Sequence, residues 1–452
     1  MHAVVRGSAL SLLLGDFFVF AGSLVATLLV RYQKIPDAAV VEAHVRPFLF
    51  LFALWLLIFL IAGLYDRHLS LARKSIPILV AKVQLVNVSL AALFFFILPF
   101  GIEPKTNLAI YLVISTSLIA LWRLYLHPLI ATIKPMHAVI VGDSLEARAI
   151  AEVFQTNPYF KNIVPYLLRR SEVPDFPEFQ KSLHSFLSAD ATDMIIADMR
   201  DEYASRLVRD FYALSFQHRN IRFVNLPAMY EMLHHRIPPF LVGEHWFLEN
   251  VSTDAPHYAY DILKRVIDTV GAMVLLIPAV LLLPFIALAI KLEDKGPLFY
   301  RAERVGQYNK VIRILKFRTM TGMDDPRDAL KTTLRITRIG SFLRKTRLDE
   351  LPQLLNILTG DLSFIGPRPE IPTLVDVYAK EIPYYNLRHL VKPGLSGWAQ
   401  INNFDVPRGG VDIPKTIDKL SYDLYYLKHR SLFLDIEIAL KTINTLLLRT
   451  GT

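Results

Sequence analysis

Residues 270–290 read VGAMVLLIPAVLLLPFIALAI, an uninterrupted apolar run of the ~20 residues that a helix needs to cross a hydrocarbon core. Its flanks and its prolines decide whether it crosses. Lys264 and Arg265 precede it, and Lys291, Lys295, Arg301 and Arg304 follow. Positive charge at both ends favours both ends on the cytoplasmic face. Pro278 and Pro284 lie inside the run, and each removes a helix hydrogen bond and breaks or kinks the helix. These features predict a re-entrant membrane hairpin over residues 266–291, with its broken backbone covered by protein or held near the interface. A plain fifth span would instead put residues 291–452 outside.

Upstream, four apolar stretches occupy residues 8–30, 47–65, 77–100 and 107–127. Each is of spanning length. The first is too long for a signal peptide and is followed by further spans, so it reads as retained. With the N-terminus inside, the inner face holds Arg6, Arg67, Arg73, Lys74, Arg123 and Lys134, against Arg31, Lys34, Arg46 and Lys105 outside. This excess predicts a four-helix transmembrane bundle over residues 1–130 with both ends cytoplasmic. The whole chain agrees: 452 residues, 53% hydrophobic, mean hydropathy +0.35, suiting a membrane protein with a soluble portion. A net charge of +9 suits anionic head groups or phosphorylated substrates. No Arg/Lys run is interleaved with aromatics, so nucleic acid is not an expected partner. The absence of cysteine excludes disulfides and thiolate metal sites.

Between the bundle and the 270–290 run, HAVIVGDS (137–144), DMIIADMR (193–200) and IRFVNL (221–226) read as strands separated by helical patterns. That alternation predicts a small Rossmann-like parallel α/β domain over residues 136–250. Gly142 stands alone where G-x-G-x-x-G is needed for a dinucleotide site, which favours a structural or regulatory role. Residues 240–256 read as an aromatic, turn-rich linker.

Downstream, KVIRILKFRTM (310–320) alternates as a strand, which puts Lys316 and Arg318 on one face. In RLDELPQLLNILTG (347–360) the apolar residues 348, 351, 354, 355 and 358 form a helical stripe closed by Gly360. Pro352 is tolerated only in the first turn, so the helix starts near Leu348 or Asp349. Asp349, Glu350, Gln353 and Asn356 then lie away from the stripe. Both carboxylates, Asp349 and Glu350, sit at the positive end of the helix, with Arg344 and Arg347 just upstream, and are expected to stay ionised, as a nucleophile or a metal ligand must. Taken alone, this patch is an N-capped amphipathic helix with local ion pairs. Its company changes the reading. In GPRP (366–369) the prolines stiffen the loop carrying Arg368, whose fork suits phosphate. KPGLSGWAQ (392–400) is a turn with Lys392 and Arg388 nearby. Rigid basic turns, paired carboxylates and an adjacent membrane segment point to phosphate chemistry at the bilayer surface.

KFRTM, RLDELPQLLNILTGDLSFIGPRPE and RHLVKPGLSGWAQIN, in this order, closely resemble the bacterial sugar transferase family, the monotopic polyprenyl-phosphate hexose-1-phosphate transferases. The resemblance covers residues 258–452, a mostly helical catalytic domain, and the N-terminal spans plus α/β unit look like the long form. It implies transfer of a sugar phosphate from a UDP-sugar to polyprenyl phosphate with release of UMP, on the cytoplasmic face of the bacterial inner membrane. It implies Asp349 as a nucleophile that forms a covalent sugar-phosphate intermediate, Glu350 in metal or proton handling, and Mg²⁺ as cofactor. The family's phosphate-binding basics match Lys316, Arg344 and Arg368, with Arg318 on the same strand and Gln353 beside the dyad. Arg388, Lys392 and Gln400 fall in its nucleotide-side motif. Membrane lipid is an implied partner, and a homodimer the implied assembly.

The chain departs from the family where Ser-Pro is expected at the hairpin break: Leu281 stands there, with Pro278 and Pro284 about one turn away. In the tail, residues 419–448 read as apolar faces with Lys419, Lys428 and Arg430, suited to an interfacial helix. His389 and His429 have no partners at metal or triad spacing and read as surface groups. The competing function is a non-catalytic membrane scaffold for glycan assembly, against which the intact Asp349, Glu350, Lys316 and Arg368 argue.

Overall fold

The computed structural model describes residues 2–62, 64–65, 76–97, 104–127, 135–157, 160, 162–188, 192–217, 221–242, 246, 258–321, 334–402 and 411–448. Arg67, Arg73, Lys74 and Lys134, and most of the 240–256 linker, lie outside the described residues. The chain divides into two compact units, Met1–Met229 and Tyr230–Thr452.

The first unit opens with helices α1 (His2–Tyr32), α2 (Ala38–Ile61), α3 (Ile76–Ile97) and α4 (Pro104–Leu121). A stretch of each is long and apolar enough to cross a membrane, and these helices make the chain a membrane protein. Phe20, Phe48, Phe52, Trp55 and Tyr111 form the aromatic centre of the bundle. Polar groups inside spans are costly unless paired, and Gln84 and Arg123 are paired. Gln84 Nε2 donates to Ser115 Oγ at 2.8 Å. Arg123 sits in a π-turn (Trp122–Leu126) and pairs with buried Asp16, its Nη1 also donating to the Leu64 carbonyl at 2.6 Å. Arg123 is therefore not an inner-face loop charge, as the sequence count took it to be.

The α/β part of this unit runs β1 (Met136–Val141), α5 (Leu145–Thr156), β2 (Ile163–Leu168), α6 (Phe176–Ser188), β3 (Thr192–Ala197), α7 (Glu202–Arg206), α8 (Val208–Gln217) and β4 (Arg222–Asn225), and the boundary between the units falls within α9 (Leu226–His234). All strand pairs are parallel, in the order β2-β1-β3-β4. Gly142 follows β1 with φ +150°, and a Cβ there would come within 2.9 Å of the Asp198 Cβ at the end of β3. The glycine serves the close approach of two strand ends.

The second unit begins ahead of the 270–290 run. Ile237 and Val242 are buried with Trp398, Leu424 and Leu427. The Ile237 N–H donates to the Ser421 carbonyl, and Trp398 Nε1 donates to the His235 carbonyl, both at 2.8 Å. Helix α10 follows as one element, Tyr258–Glu293, 36 residues through both prolines. The break expected at Pro278 and Pro284 is not there. Both prolines are exposed, so each frees its helix carbonyl on the outward side. On the inward side a stripe of Asp268, Ala272, Leu276, Ala279, Leu283, Ile286 and Ile290 packs along the unit. The outward side, including Val274, Ile277, Leu281, Phe285 and Leu288, is apolar and exposed.

Both ends of α10 are tied to the same unit. Near its start, Arg265 donates to the carbonyls of Ile357 and Leu358 at 2.6 and 2.7 Å, and Lys264 pairs with Asp435 at 2.7 Å. At its end, Glu293 accepts from the backbone N–H groups of Arg338 and Ile339 at 2.6 and 2.7 Å. The helix is about 54 Å long and does not carry the chain away from the body it starts on.

The remaining elements are the antiparallel hairpin β5 (Phe299–Val305) and β6 (Val311–Phe317), the short pair β7 (Met320–Thr321) and β8 (Arg335–Ile336), α11 (Arg338–Lys345), a 3₁₀ turn (Leu348–Gln353), α12 (Leu354–Thr359), β9 (Ser363–Ile365), α13 (Pro372–Glu381), a second 3₁₀ turn (Tyr385–Leu390), β10 (Gly394–Ser396), α14 (Trp398–Asn402), α15 (Ile413–His429) and α16 (Leu432–Leu448). Helix α15 is a core helix rather than an interfacial one, since it buries Lys419, Leu420, Asp423, Leu424 and Leu427. Anchoring of both ends of α10 predicts that reporter tags at residues 256 and 452 report the same side of the membrane. Tags on opposite sides would show that α10 spans.

Candidate active site

The carboxylate pair sits where the chain is turned hard and then stopped. Thr337 caps α11, its Oγ1 accepting from the Gly340 N–H at 2.8 Å. Arg347 then takes a left-handed conformation, φ 59°, which ends the helix and starts the 3₁₀ turn carrying Asp349 and Glu350. Pro352 lies inside that turn, and Gly360, φ 92°, closes α12. These bounds agree with the sequence reading. Within α12 the buried positions are Leu354, Asn356 and Ile357, while Leu355 is exposed.

Asn356 fixes this helix against β6. Its Oδ1 accepts from the Leu315 N–H at 3.0 Å and its Nδ2 donates to the Arg313 carbonyl at 2.9 Å. The neighbouring strand residue, Lys316, is thereby brought to the dyad. Its Nζ lies 2.7 Å from Glu350 Oε1. Arg368 Nη2 approaches the same oxygen at 3.5 Å, and Arg347 Nη1 reaches Oε2 at 3.9 Å. Burial pushes the Glu350 carboxyl up, but Arg368, Lys316 and Arg347 outweigh it and hold its pKa down at about 2.

Asp349 stands apart. It is 7% exposed, and among the described residues none gives its carboxylate a hydrogen bond or ion pair. Burial and then the Glu350 charge push its pKa up, against Lys316, Arg344 and Arg347. The two carboxylates therefore differ in setting: Glu350 is clamped by cations, and Asp349 is an unengaged carboxylate with a raised pKa. Beside them Gln353 is 3% exposed with its amide nitrogen unpartnered.

The GPRP loop is set by two glycines. A Cβ on Gly366 would come within 2.3 Å of the Lys392 carbonyl oxygen, and one on Gly394 within 2.1 Å of the Gly366 nitrogen. The two turns cross at a distance only glycine permits, sealed by Gly366 N–H to Ser396 O at 2.8 Å and Gly394 N–H to Pro367 O at 3.0 Å. Beneath them lies a buried ion network. Arg388 Nη2 donates to the Arg368 carbonyl at 2.9 Å, and the same guanidinium holds Asp423 at 2.8 Å and Glu370 at 3.5 Å. Lys419 and Tyr385 also bond Glu370.

Several sequence-assigned residues therefore change role. Arg388 is 2% exposed and supports Arg368 from behind instead of meeting substrate. Arg318 is bound to Asp294 at 2.6 Å, anchoring the strand to the end of α10. Arg344 donates to Thr319 Oγ1 at 3.0 Å and stays within electrostatic reach of Asp349. Lys392 lies by Gly360 and Arg265, at the far end of α12 from the dyad, and burial and Arg265 lower its pKa. Gln400 Nε2 donates to the Leu395 carbonyl at 3.3 Å. His389 is buried, not a surface group: Asn309 holds its Nδ1, and burial and Arg388 depress its pKa to about 3. His429 pairs with Glu231. Glu370, Asp423, the bonding of Asn356 to β6 and Lys419 as a network member escaped the sequence reading. Their partners lie tens of residues away, where local periodicity carries no signal.

Burial raises the Glu370 pKa, but Arg388 and Lys419 overcome it and hold it at about 2, below the ordinary 4.5. Its contribution to stability is present above pH 4.5 and is lost as pH falls through about 2. Glu370→Gln should destabilise the protein by roughly 3–5 kcal/mol at pH 7, because it leaves buried cations under-compensated. The gap to wild type in detergent unfolding midpoints should narrow as pH is lowered through that window. A gap that is absent at pH 7, or that widens in acid, would contradict this role.

The family model described as Bacterial sugar transferase matches residues 259–449. A UDP-N-acetylgalactosamine-undecaprenyl-phosphate N-acetylgalactosaminephosphotransferase of Aeromonas hydrophila is 37% identical over 269 residues, 59% of this chain and 61% of that protein. A UDP-glucose:undecaprenyl-phosphate glucose-1-phosphate transferase of Escherichia coli is 41% identical over 186 residues, 40% of this chain and 39% of that protein. The match therefore spans less than two thirds of either relative. A protein of the same name from Caulobacter vibrioides is 40% identical over 196 residues, 42% of this chain and 72% of that protein. The dyad, its basic turns and these matches agree, and the chain belongs to the bacterial sugar transferase family.

Proposed function

We propose that the protein transfers a hexose-1-phosphate from a UDP-sugar to polyprenyl (undecaprenyl) phosphate, giving polyprenyl-diphosphate-sugar and UMP. The reaction takes place on the cytoplasmic face of the bacterial inner membrane, as the first membrane step of exopolysaccharide, capsule or O-antigen synthesis. The observation that carries this reading is the split dyad: an unengaged Asp349 carboxylate beside a Glu350 that gathers Lys316 and Arg368. The names of the three relatives support it, each joining a UDP-sugar or its sugar to undecaprenyl phosphate.

In this mechanism one oxygen of Asp349 attacks the sugar-linked phosphorus of the donor. The bond from that phosphorus to the bridging oxygen breaks, and UMP leaves with the electron pair. A phosphate oxygen of the polyprenyl phosphate then attacks the same phosphorus, and the Asp349–phosphorus bond breaks to restore the carboxylate. Covalent catalysis divides a difficult transfer between two anions into two steps. Lys316 and Arg368 meet the phosphoryl oxygens, where preorganised cations stabilise developing charge. The asymmetry suits these roles, since a carboxylate locked by three cations is a poor nucleophile and a free, more basic one is a better nucleophile.

Mg²⁺ fits the donor set in a limited way. Among the described residues no group of three or more His, Asp or Glu side chains gathers, and Lys316 and Arg368 already occupy the Glu350 oxygens. The Asp349 oxygen that does not attack would remain available, and Mg²⁺ sites commonly use one or two carboxylates together with substrate phosphates. Held there, the ion supplies positive charge to the donor diphosphate.

Purified protein with Mg²⁺ and undecaprenyl phosphate should release UMP from at least one member of a panel of UDP-sugars. Asp349→Asn should lower that rate by roughly 10³-fold or more. Undiminished UMP from the variant would overturn the nucleophile. No UMP from wild type with any donor would favour the non-catalytic scaffold.

A further inference from the structure

Arg304 is a cation near the site that the mechanism leaves without work. It lies on β5 opposite Ile312, on the same strand face as Ala302, which is buried with Ile314. The next residue, Val305, donates its N–H to the Glu370 carbonyl at 2.9 Å, which ties this end of β5 to the GPRPE loop. The Arg304 guanidinium is partly buried and within electrostatic reach of Arg368 and Glu370. Its hydrogen bond is to a backbone oxygen, the Glu303 carbonyl, at 2.7 Å. Among the described residues no carboxylate lies within ion-pairing distance of it.

The nearby carboxylates are already committed. Glu370 is held by Arg388, Lys419 and Tyr385, and Glu350 by Lys316 and Arg368. Burial and the Arg368 charge push the Arg304 pKa down, against Tyr300 and Glu370, which raise it. Two guanidiniums within electrostatic reach of each other repel, and an anion between them removes the conflict. Guanidinium forks match phosphate oxygens better than an ammonium does.

We propose that Arg304 and Arg368 together form a clamp for a phosphate group of substrate, with Arg304 a substrate-binding residue for the transfer. The inference rests on reading the site as a phosphoryl-transfer centre. The same chemistry is offered by two sources, the diphosphate of the UDP-sugar and the phosphate of the polyprenyl acceptor. Steady-state kinetics with each substrate varied in turn separates them.

Arg304→Gln should raise KM for one of the two substrates by roughly 10- to 100-fold, the worth of a charge-assisted hydrogen bond. Arg304→Lys, which keeps the charge but not the fork, should recover part of that loss. Arg313→Gln, whose side chain is exposed and pairs with Glu303 on the other strand face, should match wild type. Elevation for the UDP-sugar alone assigns the clamp to the donor, and elevation for polyprenyl phosphate alone assigns it to the acceptor. Unchanged KM for both, in an Arg304→Gln protein with a wild-type unfolding midpoint, overturns the inference and leaves the proposed reaction standing. Should wild type release no UMP, that reaction fails, and titrations of UDP and of undecaprenyl phosphate into both proteins decide the clamp. Weaker binding of either probe to Arg304→Gln supports it, and equal binding of both overturns it.

Discussion

The contact that organises the second unit is the convergence on Glu350 of three cations from separate parts of the chain. Lys316 comes from a strand, Arg368 from a proline-stiffened loop and Arg347 from the end of a helix. A half-buried carboxylate is costly to desolvate, and here that cost is offset by the three cations that it gathers. Each scaffold feature nearby serves this convergence. Asn356 joins α12 to β6, and Gly366 and Gly394 let two turns cross. Glu350 thus acts as an internal anion around which three cations are assembled, and Asp349 has no hydrogen-bond or ion-pair partner among the described residues.

Arg368 is supported from behind by Arg388, Asp423, Glu370, Lys419 and Tyr385. Such buried ion networks seldom add net stability relative to a well-packed apolar core. Their value here is positional: the Arg368 carbonyl is held by a guanidinium that is itself fixed by two carboxylates. A loop between prolines, backed by that lattice, loses little freedom when it meets substrate.

Much of the fold was legible in the sequence because it rests on local periodicity and punctuation. The apolar stretches became α1 to α4, the strand-and-helix alternation became a parallel sheet, and Gly360 closes the dyad helix in a left-handed conformation. The errors share one cause, long-range pairing that no local window contains. Arg388 and Asp423 are 35 residues apart and Lys419 and Glu370 are 49 apart, so Arg388 read as a substrate-facing charge and Lys419 as an interfacial one, and their carboxylate partners went unread. His389 read as a surface group for the same reason. Pro278 and Pro284 promised a broken helix, yet both face outward while the packed stripe of α10 continues past them. In the site, the dyad and Lys316, Arg344 and Arg368 were legible from their motifs. The division of labour between Asp349 and Glu350 was not, because it depends on which carboxylate the cations reach.

That division is the centre of the account, and trapping the intermediate tests it most directly. Wild-type protein incubated with Mg²⁺ and an active UDP-sugar, without polyprenyl phosphate, should release UMP in an amount matching the enzyme. Peptide mass spectrometry should then find a hexose phosphate on the peptide containing Asp349, absent from Asp349→Asn and lost when polyprenyl phosphate is added. UMP release that requires the acceptor, with no adduct on that peptide, would contradict a covalent role for Asp349.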